Sequence, residues 1–266
     1  MKKLIVALLV ASLFSACRKD NTDNYDYNLI TAEDDITARD LLEDNDEELD
    51  LQIGFREPTT CPAITYQYPQ GTFPNTITID YGTDGCAGPG GKTRRGKMLV
   101  QISDSISNAG ATRTITFDNF SIDNVQVQGT RTITNNGQDP NGIWSLTRTA
   151  TNMILTFPDG KTISWNGSYT AKFIEGYDTP TVRLDDVFEV SGGSQGVNRN
   201  NKSYTTTITT PFIKANTCAW VKSGIANITT ENKILVVNYG NGTCDRIAIV
   251  TLPNGETREV QIKRWW

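Results

Sequence analysis

The sequence predicts an all-β protein: a large antiparallel meander, folded as a sandwich or a strongly curled sheet, that follows a flexible acidic tether. Three observations carry this expectation. Of 266 residues, 36 are Thr, 22 are Asn and 22 are Gly. Thr suits a pleated, half-buried surface, and Asn and Gly suit its turns. From residue 62 onward, short runs alternate apolar and polar side chains with a period of two. Third, the charge is split. Residues 31–50 hold ten acids and one base, Arg39, whereas residues 51–266 hold 20 bases and 17 acids, a net of +3. This composition excludes a coiled coil, a helical bundle and a multi-span membrane protein. There is no histidine, so the commonest general base and the commonest zinc ligand are missing. No cofactor and no metal are expected.

Lys2 and Lys3 precede an apolar run of eleven residues, Leu4 to Phe14, too short to span a bilayer permanently. Ser15, Ala16 and Cys17 follow. The arrangement resembles the lipobox of bacterial lipoprotein signal peptides, with Phe14 where Leu is usual. The resemblance implies a signal peptide over residues 1–16, cleavage before Cys17 and acylation of Cys17. Acyl chains of that kind hold a protein stably on a membrane. The next residues, Arg18-Lys19-Asp20-Asn21-Thr22-Asp23, are similar to the start of many lipoproteins of the Bacteroidota, which implies the outer membrane and its outer face.

Residues 17–50 then read as the lipidated cysteine and an acidic tether, because such a segment buries too little apolar surface to order itself. Ile36, Leu41 and Leu42 support at most a short helical piece. A coil of this length would hold the domain on the order of 30 Å from the membrane. The run Asp44-Asn45-Asp46-Glu47-Glu48 lacks the glycine that a calcium loop requires at its sixth position.

Residues 51–266 form one β domain. Cys61, Cys86, Cys218 and Cys244 permit three pairings. Spacing favours Cys61–Cys86, 25 residues apart, and Cys218–Cys244, 26 apart. Tyr81-Gly82 and Tyr239-Gly240 stand at the same distance before the second cysteine of each pair, and an apolar strand follows each. Two related units, near residues 61–102 and 218–252, are therefore expected, each stapled by a disulfide. No cysteine pair has the short spacing of a zinc knuckle.

Arg113 to Asp118 alternates, Ser121 to Asn124 turns, and Val125 to Gln128 returns, with Thr130 to Thr134 continuing. Thr134 to Gly137 reads as a turn, and Trp144 to Thr149 as a strand. Phe157-Pro158-Asp159-Gly160-Lys161 and Leu252-Pro253-Asn254-Gly255-Glu256 are near-identical hairpin turns. Val187 to Val190, Tyr204 to Ile208, Trp220 to Ile228 and Thr257 to Ile262 complete about thirteen strands. With one face polar, such a sheet has one wet and one buried side. It must fold over, curl or close. A transmembrane barrel is disfavoured by the acyl anchor and the disulfides.

Across residues 61–262 the pattern resembles uncharacterised lipoproteins of the Bacteroidota, in Phe73 to Gly82, Gly91 to Lys97 and Asn238 to Cys244. The resemblance implies a location and a fold, and no activity.

Among candidate sites, Gly88-Pro89-Gly90-Gly91-Lys92-Thr93 has the tail of a phosphate loop, but Cys86 replaces the required first glycine and a strand follows where a helix is needed. Lys92, Arg94, Arg95 and Lys97 are candidate ligand contacts for sulfated or phosphorylated groups, against a solvated loop as the commoner use of a charge run. Trp165 and Trp220 read as core, and Trp265 as exposed, a binding anchor or simply a surface residue. Glu175, Asp185, Asp186 and Glu189 cluster in sequence, with nothing to select a catalytic pair. Asp104-Ser105-Ile106 matches a short O-glycosylation sequon. The expected protein is a non-enzymatic surface or envelope lipoprotein that binds a glycan or a protein. A glycan-cleaving enzyme using a carboxylate pair and a purely structural envelope protein are the alternatives. The balanced charge of the domain argues against a nucleic-acid partner.

Overall fold

The structure, a computed structural model, describes residues 22–54, 61–88, 91–179 and 182–262. The signal peptide, Cys17 and Trp265 lie outside the described residues.

The β domain is one 14-stranded antiparallel sheet. Strands β1 (Ala63–Tyr66), β2 (Asn75–Asp80), β4 (Thr93–Ile102), β5 (Thr112–Ile122), β6 (Val125–Gln138) and β7 (Trp144–Thr156) pair in succession. The path continues through β8 (Thr162–Glu175), β9 (Val187–Val197), β10 (Ser203–Ala215), β11 (Ser223–Thr230), β12 (Lys233–Asn241), β13 (Ile247–Thr251) and β14 (Thr257–Gln261). The two-residue strand β3 (Cys86–Ala87) pairs with β4 off this path. Each strand meets its chain neighbour, as short turns between alternating runs require. The sheet curls without closing, since β1 and β14 do not pair. Of the two expected forms, sandwich and curl, the molecule takes the curl.

What the sheet curls around corrects the tether reading. Residues Thr22–Gly54 form one helix of 33 residues, α1, about 50 Å long. It is buried on almost every face from Thr31 to Gln52. Its side chains meet β4 through Asp44, β5 through Asp50, β6 through Asp46, β8 and β9 through Asp35, β10 through Glu47 and β12 through Arg39. Its apolar residues Ile36, Leu41, Leu42 and Leu49 all join the core but are scattered among acids, so the helix has no single apolar face to dock. It is ordered here because strands on successive sides present matching groups. No helix among the described residues is long and apolar enough to cross a membrane.

The inward positions of the strands make the core: Ile77 and Ile79 on β2, Met98 and Val100 on β4, Leu155 on β7, Ile163 and Trp165 on β8, Ile228 on β11, and Leu235 and Val237 on β12. The outward positions are polar, as with Gln126 and Gln128 on β6 and Thr205 and Thr207 on β10. This is the reverse of the apolar outer band of a transmembrane barrel.

The two hairpins read from sequence form as expected. Phe157 N–H donates to Lys161 O, and Leu252 N–H donates to Glu256 O. Gly160 and Gly255 take φ of +82° and +84°, the left-handed region that a side chain disfavours. Several strand boundaries differ from the sequence reading, mostly because the strands run longer, as β7, β9 and β10 do to Thr156, Val197 and Ala215. The residues read as a turn, Thr134 to Gly137, remain in β6, which runs to Gln138 with a register shift between Asn135 and Gly137. A bulge absorbs the turn-forming residues while the ladder continues. Trp220 precedes β11, which begins at Ser223.

Both favoured cysteine pairs are disulfide-bonded, with Cα–Cα distances of 5.6 Å for Cys61–Cys86 and 5.7 Å for Cys218–Cys244. The first unit is β1, β2 and β4, and the second is β11, β12 and β13, each an antiparallel trio. Tyr81 and Tyr239 are both buried.

Candidate functional site

The meander places its turns at two ends of the curl. One end carries the β7–β8 and β9–β10 turns. There Asn198 Nδ2 donates to Thr31 Oγ1 at 2.7 Å, and Arg199 binds Asp34 near the start of the buried part of α1. Burial raises the pKa of Asp34 despite its bonds to Arg199. The other end carries the β4–β5, β6–β7, β8–β9 and β10–β11 connections. At that end a cavity of about 590 Å³ opens between the last three turns of α1 and the sheet. Its size is ordinary for a small-molecule site.

One wall is aromatic. Trp144 starts β7, and its ring stacks on Tyr177 with centroids 4.6 Å apart. Phe173 of β8 and Phe188 of β9 are register partners, with centroids 4.5 Å apart, and Phe173 meets Tyr177 edge-on at 5.3 Å. Trp144, Leu146 and Arg148 alternate along β7, so all three reach the same side. Burial raises the Tyr177 hydroxyl pKa, helped by Asp178.

The facing wall is α1, which contributes Glu43, Asp46, Glu47 and Asp50. Three of these are paired. Asp46 meets Arg131 Nη2 at 2.7 Å. Asp50 lies between Arg113 and Arg183, the latter at 2.7 Å. Burial works to raise the Asp50 pKa, but the two guanidiniums outweigh it and hold the carboxyl below its ordinary value. Glu47 lies 3.5 Å from Lys214 Nζ, whose other bonds run to the carbonyls of Cys218 and Ala219. Asp186 also lines the cavity. Its pKa is raised by burial and by neighbouring Asp185.

The basic candidates read from sequence are split by β4. Lys92 and Arg94 point inward and are buried, with Asp44 of α1 at 2.5 Å and 2.7 Å. Glu48 lies 3.5 Å from Arg94. These two serve α1, a correction to their reading as ligand contacts or a solvated loop. Arg95 and Lys97 point outward, Arg95 donating to Asn124 at 3.2 Å and Lys97 pairing with Asp80 at 3.0 Å. Arg95 and Lys97 are two residues apart and share the outward face by ordinary strand alternation, each beside an inward neighbour, Arg94 and Met98. None of the four lines the cavity. Trp165 is fully buried, as expected, and donates through Nε1 to Asp35 at 3.0 Å. Trp220 packs at the core margin. Of the four clustered acids, Asp186 alone lines the cavity.

Sequence reasoning passed over Trp144, Arg148, Phe173, Tyr177 and Phe188 as site residues. Their available signal was alternation on β7, which marks a shared face without saying what faces it. Among the described residues, no cluster of His, Cys, Asp or Glu has a metal-holding arrangement. Compared with protein-family models, curated proteins and solved structures, the chain has no match.

Proposed function

We propose that this protein is a non-enzymatic lipoprotein of the outer membrane, held by acyl chains on Cys17, that binds a glycan or a protein segment in the cavity at the far end of its curled sheet. The aromatic-walled cavity is the observation that supports binding. Aromatic faces with a few placed polar groups are the usual composition of a recognition site.

Cys17 stands five residues before Thr22, where α1 starts. Five residues reach at most about 17 Å, roughly half of what a coil tether would give. An anchor at Cys17 therefore holds the α1-entry end of the curl close to the membrane and leaves the cavity opening away from it. That orientation suits capture of a partner from outside. A glycan-cleaving reading would use Asp186 as its acid, but three of the four carboxylates across the cavity, Asp46, Asp50 and Glu47, are engaged with bases.

Two measurements test the proposal. Cys17→Ser should move the protein from membranes to the soluble fraction, with loss of acyl mass. Trp144→Ala should weaken binding of oligosaccharides or envelope proteins that the wild type retains. A wild type without acyl groups refutes the anchor, and binding that Trp144→Ala leaves unchanged refutes the site.

A further inference from the structure

Most of the charges around the cavity are committed to one another. Arg113 and Arg183 hold Asp50, Arg131 holds Asp46, and Lys214 meets Glu47. Arg148 differs. Among the described residues its only contact of this kind is with the Phe188 ring, 5.9 Å from guanidinium carbon to centroid. Its Nε is buried without a hydrogen-bond partner. Trp144 Nε1, four residues earlier on the same face of β7, is likewise buried and unpartnered. A buried donor left without an acceptor loses its hydration without return, so two on one cavity wall mark a place where an acceptor belongs. Glu43 lines the facing wall, but no ion pair joins it to Arg148.

The surroundings define the rest of such a ligand. The aromatic group of Trp144, Phe173, Tyr177 and Phe188 offers ring faces and edges.

We propose that the cavity is a site for a small organic anion with an apolar or aromatic body, its carboxylate or sulfate on Arg148 and Trp144 Nε1 and its body on the aromatic wall. This rests on the cavity being the protein's binding site, and it names the ligand class. Guanidinium suits the acid because it presents paired donors in one plane and stays charged.

The test uses the full chain carrying Cys17→Ser, free of detergent, titrated with 4-phenylbutyrate, 4-phenylbutanol and 4-phenylbutylamine by calorimetry and tryptophan fluorescence. The acid should bind at least about tenfold more tightly than the alcohol, and the amine most weakly, since a charged hydrogen bond is the larger one. Arg148→Gln should erase the advantage of acid over alcohol while leaving alcohol binding in place. Arg148→Lys should keep part of it, and Glu43→Gln should tighten the acid. Alcohol binding in Arg148→Gln also reports that the cavity is still formed. Equal affinity for acid and alcohol in the wild type, or an acid preference that survives Arg148→Gln, overturns the proposal. If neutral oligosaccharides bind and depend on Trp144 while the acid does not, the anion assignment fails and the cavity reading stands. If nothing binds in a Trp144-dependent way, both fail.

Discussion

Arg131 of β6 grips Asp46 of α1 across 85 residues of sequence, with Nη2 at 2.7 Å and Nε at 3.2 Å from the same carboxylate oxygen. Both side chains are buried. Each charge is tolerable there only because of the other, since an isolated buried charge loses its hydration without return. Asp44 with Lys92 and Arg94 repeats the arrangement on β4.

Breaking one side of this contact should therefore be costly. Asp46→Asn or Arg131→Met should destabilise the protein by about 3–5 kcal/mol, because each leaves an uncompensated buried partner. The double variant Asp46→Leu with Arg131→Met should recover most of that loss. Urea unfolding of the three variants measures it, and additive losses would show that the two residues do not act as a pair.

The burial of α1 gives a second expectation. Amides from Thr31 to Gln52 should exchange slowly in deuterium-exchange mass spectrometry, comparably to β8 and β12 on either side of them. Exchange within seconds across this segment would return it to a flexible tether.

A third concerns acid. The Asp50 pKa is lowered in the folded protein, so below about pH 4 the unfolded chain takes up a proton there more readily than the folded one. The stabilisation from Asp50 is complete above that pH and is lost as pH falls through the folded value. Asp50→Asn should lower the urea midpoint at pH 7 and make little difference near pH 2. A constant difference across this range would mean that Arg113 and Arg183 do not stabilise the carboxylate.

The disulfides supply a fourth. Non-reducing peptide mapping should link Cys61 to Cys86 and Cys218 to Cys244. Replacing Cys218 and Cys244 together with Ser should cost about 2–5 kcal/mol, read from the thermal or urea transition. Any crossed linkage would refute the two-unit arrangement.

By itself the sequence determined the strands, their antiparallel order and the staples. Alternation such as Thr114-Ile115-Thr116-Phe117 is a local pattern, the turn at Asp159-Gly160 is set by backbone conformation, and the matched spacing before Cys86 and Cys244 is written in the chain. The fate of residues 22–54 was not local. Four acids at helical spacing, Asp40, Asp44, Glu43 and Glu47, repel along an isolated helix, so the segment read as a coil. Lys92 and Arg94 at the start of β4, Arg113 on β5 and Arg131 on β6 make the helix favourable only once the sheet has curled to bring them to it. The cavity has the same origin: Trp144, Arg148, Phe173 and Phe188 stand on three strands, and their convergence depends on strand register and on the curvature that leaves room beside α1. Periodicity assigns a side chain to a face. Only the curl of the sheet around the helix decided what that face would meet.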